Sequence, residues 1–130
     1  LSVAKALSTA AYLSQDRVTL GAGVGWQKTE FDMAGQDFHT RGKRTDEMLE
    51  IMRLLWTGEL VQYEGEHYQF GALEMNPAPT AYIPIWIGGI SEAAMRRAAR
   101  LGSGSRQHQR GKPRQVRSLE IEPRGGHQIQ

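Results

Sequence analysis

Two glycine-containing segments carry the residues best suited to chemistry, Ile83-Pro-Ile-Trp-Ile-Gly-Gly-Ile-Ser91 and Arg17-Val-Thr-Leu-Gly-Ala-Gly-Val-Gly-Trp26. Each reads as a short apolar strand that runs into glycines and then into a helix-forming sequence. In the first, Gly88, Gly89, Ile90 and Ser91 bring together bare backbone amides, a serine hydroxyl and the positive end of a helix. That combination suits a phosphate group, and it equally makes a tight strand-to-helix turn with a serine cap. In the second, Gly21, Gly23 and Gly25 share one face of the strand with Thr19, while Val18, Leu20, Ala22 and Val24 share the other. Three glycines on one face mean either tight packing or the close approach of a ligand.

The glycines do not complete a dinucleotide fingerprint, because Trp26 and Lys28 stand where a third glycine would have to fall. No Gly-Lys-Ser or Gly-Lys-Thr makes a P-loop. Beyond the second segment, residues 27 to 42 read as a long polar loop carrying Glu30, Asp32, His39 and Arg41, and long loops in compact domains are commonly functional. Glu30, just past a strand end, and His39, beside Arg41 and Arg44, are the candidates for acid or base work. His67 falls in a hairpin and reads as a solvated or stacking residue. Neither body histidine has a second ligand at metal-binding spacing, so no metal site is expected.

The elements that position these residues follow from periodicity. Leu1 to Leu13 forms an amphipathic helix with Val3, Ala6, Leu7, Ala10 and Leu13 on its apolar stripe. A strand spans Arg17 to Gly25. A helix from Lys43 to Thr57 turns Met48, Leu49, Met52, Leu55 and Trp56 inward and keeps Lys43, Asp46, Glu47, Glu50 and Arg53 wet, with Gly58 as its stop. Leu60 to Phe70, with a turn at Glu64-Gly65-Glu66, reads as a small hairpin. The strand Ile83 to Ile87 precedes a helix from Glu92 to Leu101, capped by Ser91 and ended by Gly102. Two β-Gly-α units imply a parallel α/β protein.

Composition divides the chain at Gly102. Residues 1 to 102 hold 10 basic and 12 acidic side chains, and residues 103 to 130 hold 6 and 2. All ten aromatic residues lie in the first part, so the basic segment is expected to be a disordered tail outside the folded domain. Nonspecific binding of nucleic acid or another anionic surface through Arg106, Arg110, Lys112, Arg114 and Arg117 is one alternative function for the chain. A non-catalytic α/β module that binds a phosphorylated ligand at Ser91 is another. The absence of cysteine excludes disulfides and thiolate chemistry and fits the cytoplasm, and no apolar run is long enough for a membrane span.

Taken in order, Arg17 to Trp26, Glu30-Phe31, Gly35, Phe38, Arg41, Arg44-Thr-Asp-Glu47, Leu54-Leu-Trp56, Tyr63-Glu-Gly65, Tyr68, Phe70, Pro84 to Gly89 and Ser91 to Gly102 resemble the luciferase-like monooxygenase family, and within it the deazaflavin-dependent oxidoreductases. The resemblance implies a TIM (β/α)8 barrel, of which this chain supplies strands four and five with their flanking helices. It implies FMN or the 8-hydroxy-5-deazaflavin coenzyme F420 as cofactor, a small organic substrate, and hydride transfer or oxygen activation. By the same resemblance Gly88, Gly89, Ile90 and Ser91 help hold the cofactor's phosphate, Gly25 and Trp26 lie near its ring system or the substrate, and Glu30 is a recurrent acidic position without an assigned role. The family pattern continues past Gly102 through an acidic residue, Gly and Trp, where this chain has Ser103-Gly-Ser-Arg. A partial barrel is therefore expected, inactive alone and prone to self-association through its open edges.

Overall fold

The computed structural model describes residues 1–103, and the basic segment beyond Ser103 lies outside the described residues. The element order is α1 (Ser2–Ser14), β1 (Leu20–Ala22), α2 (Lys28–Met33), α3 (Arg41–Leu55), β2 (Val61–Glu64), β3 (Gln69–Leu73), β4 (Ile85–Ile87) and α4 (Glu92–Leu101). β1 and β4 form a parallel two-stranded sheet in which Leu20, Gly21 and Ala22 stand opposite Ile85, Trp86 and Ile87. β2 and β3 form a separate antiparallel hairpin with an irregularity between Val61 and Tyr63. Among the described residues no helix is long and apolar enough to cross a membrane.

Both parallel strands are shorter than the sequence predicts. A strand extends only as far as its neighbour supplies hydrogen bonds. Here the partnership runs from Leu20 N–H, which donates to Pro84 O at 2.8 Å, to Gly88 N–H, which donates to Ala22 O at 2.8 Å. The predicted alternation still holds: Val18, Leu20, Ala22 and Val24 are half-buried while Thr19, Gly21, Gly23 and Gly25 are exposed. The region predicted as a loop contains a helix. α2 occupies Lys28–Met33, supported by the Lys28–Asp32 ion pair at 2.8 Å across one helical turn.

The apolar stripe expected on α1 is not the face that packs. Ala4, Ser8 and Ala11 are buried, whereas Val3 and Leu13 are exposed. Small side chains spaced three or four apart bring the helix axis close to its neighbours. Ser8 Oγ donates to Pro77 O, and Trp56 Nε1 donates to Ala4 O at 3.0 Å. α1 ends with Gln15 and Asp16 both left-handed, at φ 56° and 59°. Non-glycine residues rarely hold that conformation. Here Asp16 N–H donates to Ala11 O at 2.8 Å, and the Asp16 carboxylate accepts from Thr80 N–H and Thr80 Oγ1.

α3 begins two residues before the predicted start. It buries Leu49, Ile51 and Leu55, with Trp56 just beyond its end, while Met48, expected inside, is exposed. Three of the side chains expected in solvent join α3 to other elements instead. Asp46 pairs with Arg97 and Arg100 of α4. Glu47 clasps the hairpin turn by accepting from the backbone N–H groups of Glu66, His67 and Tyr68 at 2.8, 3.0 and 3.0 Å. Arg53 donates to Leu101 O at 2.7 Å and lies 4.7 Å from the Tyr82 ring centre. His67, expected to be solvated or stacking, is largely covered, and among the described residues its Nε2 has no hydrogen-bond partner. Two apolar clusters result, one of Ala4, Ile51, Leu55, Val61 and Met75 and one of Ala11, Leu49, Trp56, Ile83 and Ile85.

Candidate functional site at the paired glycine junctions

Because β1 and β4 are parallel neighbours, their carboxyl ends open onto the same rim. That places the Gly25-Trp26 turn and the Gly88–Ser91 turn at the same end of the sheet, which sequence spacing alone, with more than 60 residues between them, does not require. The two faces of this sheet differ sharply. Ile85 is fully buried on the helix-covered face, whereas Trp86, opposite Gly21, is 70% exposed on the other. A Cβ added at Gly21 or Gly23 would meet no atom within 4 Å. At Gly21 and Gly23, packing within the described residues is therefore excluded. They line an open face beside an aromatic ring.

At the Gly88–Ser91 turn, the sheet uses the Gly88 N–H, while the amides of Gly89 and Ile90 make no hydrogen bond among the described residues. Gly89 has φ 118°, and a Cβ there would fall 2.9 Å from the Ala94 Cβ. Only glycine fits. Ser91 caps α4 as expected, its Oγ accepting from Ala94 N–H at 3.2 Å, which leaves the hydroxyl proton for another acceptor. Ile90 is 97% exposed. An anion approaching this turn meets two amides, a hydroxyl and the positive end of a ten-residue helix, opposed by Glu92, whose carboxylate is ion-paired to Arg96.

At the other turn Gly25 has φ 80°, and a Cβ there would lie 2.9 Å from Phe31 Cε2. Trp26 follows, 82% exposed. Arg41 Nε donates to Gly25 O at 3.1 Å and its Nη1 to Phe38 O at 2.8 Å, with the guanidinium 3.7 Å from the Phe38 ring centre. Phe38 in turn meets Phe31 edge-on at 5.3 Å.

The two acid-base candidates do not assemble into a pair. Glu30 is exposed in the first turn of α2. His39 is exposed, touches Phe38 edge-on at 5.7 Å and donates its backbone N–H to Asp37 Oδ1 at 2.9 Å. That hydrogen bond holds the Asp37 carboxyl below its ordinary range. No hydrogen bond or ion pair joins Glu30 to His39 among the described residues. Sequence reasoning missed Trp86 as a lining residue, although its place opposite the buried positions of the strand was the available signal. It also missed the role of Arg41, whose partners Gly25 and Phe38 no local pattern reveals.

A cavity of about 300 Å³ lies elsewhere, at the amino end of β4, lined in part by Arg53, Trp56, Thr80 and Tyr82. Among the described residues no group of three or more His, Asp or Glu side chains could hold a metal ion.

Comparison with known proteins bears on the fold and the family. A solved F420-dependent secondary alcohol dehydrogenase, in complex with an F420-acetone adduct, superposes on 77% of this chain and 31% of its own with a TM-score of 0.68 at 21% identity, a likeness of fold. An uncharacterized protein of Mycobacterium tuberculosis is 45% identical over 98 residues, covering 75% of this chain and 34% of that protein. The F420-dependent glucose-6-phosphate dehydrogenase of Rhodococcus hoagii is 35% identical over 106 residues, covering 78% and 32%. The chain thus spans about a third of the length of these relatives. The model of the luciferase-like monooxygenases matches residues 1–119, running past Gly102 into the basic segment. With its fold, its order of motifs and most of its length in agreement, the chain belongs to the luciferase-like monooxygenase family.

Proposed function

We propose that this chain is part of an F420-dependent oxidoreductase acting on a small organic substrate, and that its paired glycine junctions form one side of the cofactor site. The carrying observation is the parallel pairing of β1 with β4, which sets two glycine turns on one rim above an open face of Gly21, Gly23 and Trp86. Such rims are where parallel α/β folds hold anionic cofactors. The F420-dependent relatives favour the deazaflavin over FMN. In this reading β1 and β4 are strands four and five of a partial (β/α)8 barrel. Residues 1–102 are its folded unit, with Ser103 bound back onto β4, and the protein works in the cytoplasm.

The residues fit the group. The Gly89 and Ile90 amides and the Ser91 hydroxyl would hold its phosphate, and Gly25 and Trp26 would border its ring system or the substrate. When bound, the deazaflavin supplies hydride chemistry. This chain's residues bind and orient: the open face accepts a flat ring without steric conflict, and Trp86 and Trp26 offer apolar surface from which water is displaced. Glu30 and His39 remain the candidates for moving a proton, each acting singly. Further strands would complete the site, and without them we infer a chain inactive alone that associates through its sheet edges.

The test is a fluorescence titration of the purified chain with F420 and with FMN, repeated on Ile90→Asp. That exposed position adds a negative charge at the turn without disturbing packing, whereas any side chain at Gly89 would strain the backbone as well. Saturable F420 binding weakened by Ile90→Asp is expected. Binding that Ile90→Asp leaves unchanged would remove this turn from the site.

A further inference from the structure

We propose that the first turn of α3 is a clamp that sets the Gly25-Trp26 turn against the Gly88–Ser91 turn, with Arg41 and Arg97 as its positioning residues. One side of the clamp is Arg41. Its Nε holds the Gly25 carbonyl, its Nη1 the Phe38 carbonyl, and its guanidinium lies over the Phe38 ring. Phe38 supports Phe31, which fills the space beside the Gly25 Cα. The turn is therefore held from two directions, while Trp26 at its tip is almost wholly exposed and takes its placement from that backbone.

The other side of the clamp grips the next residue. Arg97 Nη2 donates to Gly42 O at 3.1 Å, and Arg97 Nε pairs with Asp46 one helical turn further on. A Cβ at Gly42 would come 3.2 Å from Arg97 Nη2, so glycine permits the approach. Arg97 is among the few buried charged side chains of the described residues, and it projects from α4, whose first turn is capped by Ser91. A continuous path thus runs from Gly25 through Arg41, Gly42 and Arg97 to the helix that presents the second turn. A guanidinium reaches two acceptors in fixed geometry, and an ammonium does not.

The consequence rests on the proposed function: a ligand that touches both turns needs their separation fixed, and the clamp fixes it. The sheet ties the two strands only as far as the Gly88 N–H bond to Ala22 O, and the turns extend beyond it. One has a left-handed glycine and an exposed indole, the other a glycine at φ 118° and an exposed isoleucine.

The test begins without ligand, on amide and indole ¹H–¹⁵N spectra of the free chain. Arg41→Met and Arg41→Lys are expected to shift or broaden the Gly25 and Trp26 signals while those of Leu49 and Leu55 stay in place. Arg97→Lys, which keeps a positive charge near Asp46 but not the grip on Gly42, is expected to move both turns. Its effect on Gly25 should vanish once Arg41 is already Met. If Arg97→Lys leaves Gly25 unmoved, or moves it equally without Arg41, the clamp is wrong.

A second arm titrates F420 and, separately, inorganic phosphate. Arg41→Met is expected to weaken F420 by about tenfold, unrescued by Arg41→Lys, with phosphate affinity unchanged. Unchanged F420 affinity in Arg41→Met would overturn the positioning role. Failure of the wild-type chain to bind F420 would count against the proposed function, and the ligand-free spectra would still decide the clamp.

Discussion

The two ends of the β1/β4 sheet are built on opposite plans. At the amino end of β4 the flanking segments are tied together around a cavity. Ser103 Oγ accepts from Ile85 N–H at 2.6 Å and its own N–H donates to Ile85 O at 2.8 Å, Asp16 holds Thr80, and Arg53 lies against Tyr82. At the carboxyl end the backbone turns on Gly25 and Gly89, and the side chains that follow, Trp26 and Ile90, project into solvent. One end invests its residues in contacts. The other leaves amides, a hydroxyl and an indole uncommitted, as expected where parallel α/β folds separate stability from chemistry.

Substitutions sharpen that contrast in a definite order. The largest effect belongs to the tied end: Ile85→Ala, at a fully buried position, should destabilise the chain by about 3 kcal/mol in urea unfolding. A loss below about 1 kcal/mol would mean that the sheet is not the anchor it looks to be. At the rim, backbone substitutions come next. Gly25→Ala must adopt φ 80° and meets Phe31, and should cost about 1 to 2 kcal/mol. Rim side chains come lower still: Trp26→Ala and Ile90→Asp should leave unfolding unchanged to within about 0.5 kcal/mol despite the size of the groups removed. A marked loss at either would show that the rim packs against something and is not open.

The smallest effect is electrostatic. Because the His39 N–H bond lowers the Asp37 pKa in the folded chain, the stabilisation from this carboxylate is present above its unfolded value of 3.8 and is lost as pH falls through the lower folded value. Asp37→Asn should remove that part of the acid dependence. An Asp37 signal titrating at or above 3.8 in a carbon-detected NMR series would contradict the geometry of this loop.

The same contrast explains what the sequence could reveal. Features that rest on neighbours along the chain were readable: the Ser91 cap, the Glu92–Leu101 helix closed by Gly102, and the hairpin around Glu64-Gly65-Glu66 all lie where the local pattern puts them. The alternation of half-buried and exposed residues around β1 was readable too, so the open glycine face followed from it. Features that rest on distant partners were not. The α1 stripe was assigned to the larger apolar residues, yet Ala4, Ser8 and Ala11 pack because Pro77 and Trp56 offer them a close surface. Asp46, Glu47 and Arg53 looked like a wet face because their acceptors and donors lie 19 or more residues away. α2 was hidden by its polar composition, which buries no residue to give a period. Of the site, the glycines and Ser91 were legible, whereas the adjacency of the two turns, Trp86 and the grip of Arg41 required the fold.

The central claim is that both glycine turns serve one ligand. The most direct measurement is a ¹H–¹⁵N map of the chain during titration with F420. The account predicts that the Gly25, Trp26, Gly89, Ile90 and Ser91 signals move together along one binding curve, with the Trp86 indole, while Thr80 and Tyr82 at the opposite end stay still. Movement confined to one turn, or centred on the Arg53, Thr80 and Tyr82 cavity, would contradict it.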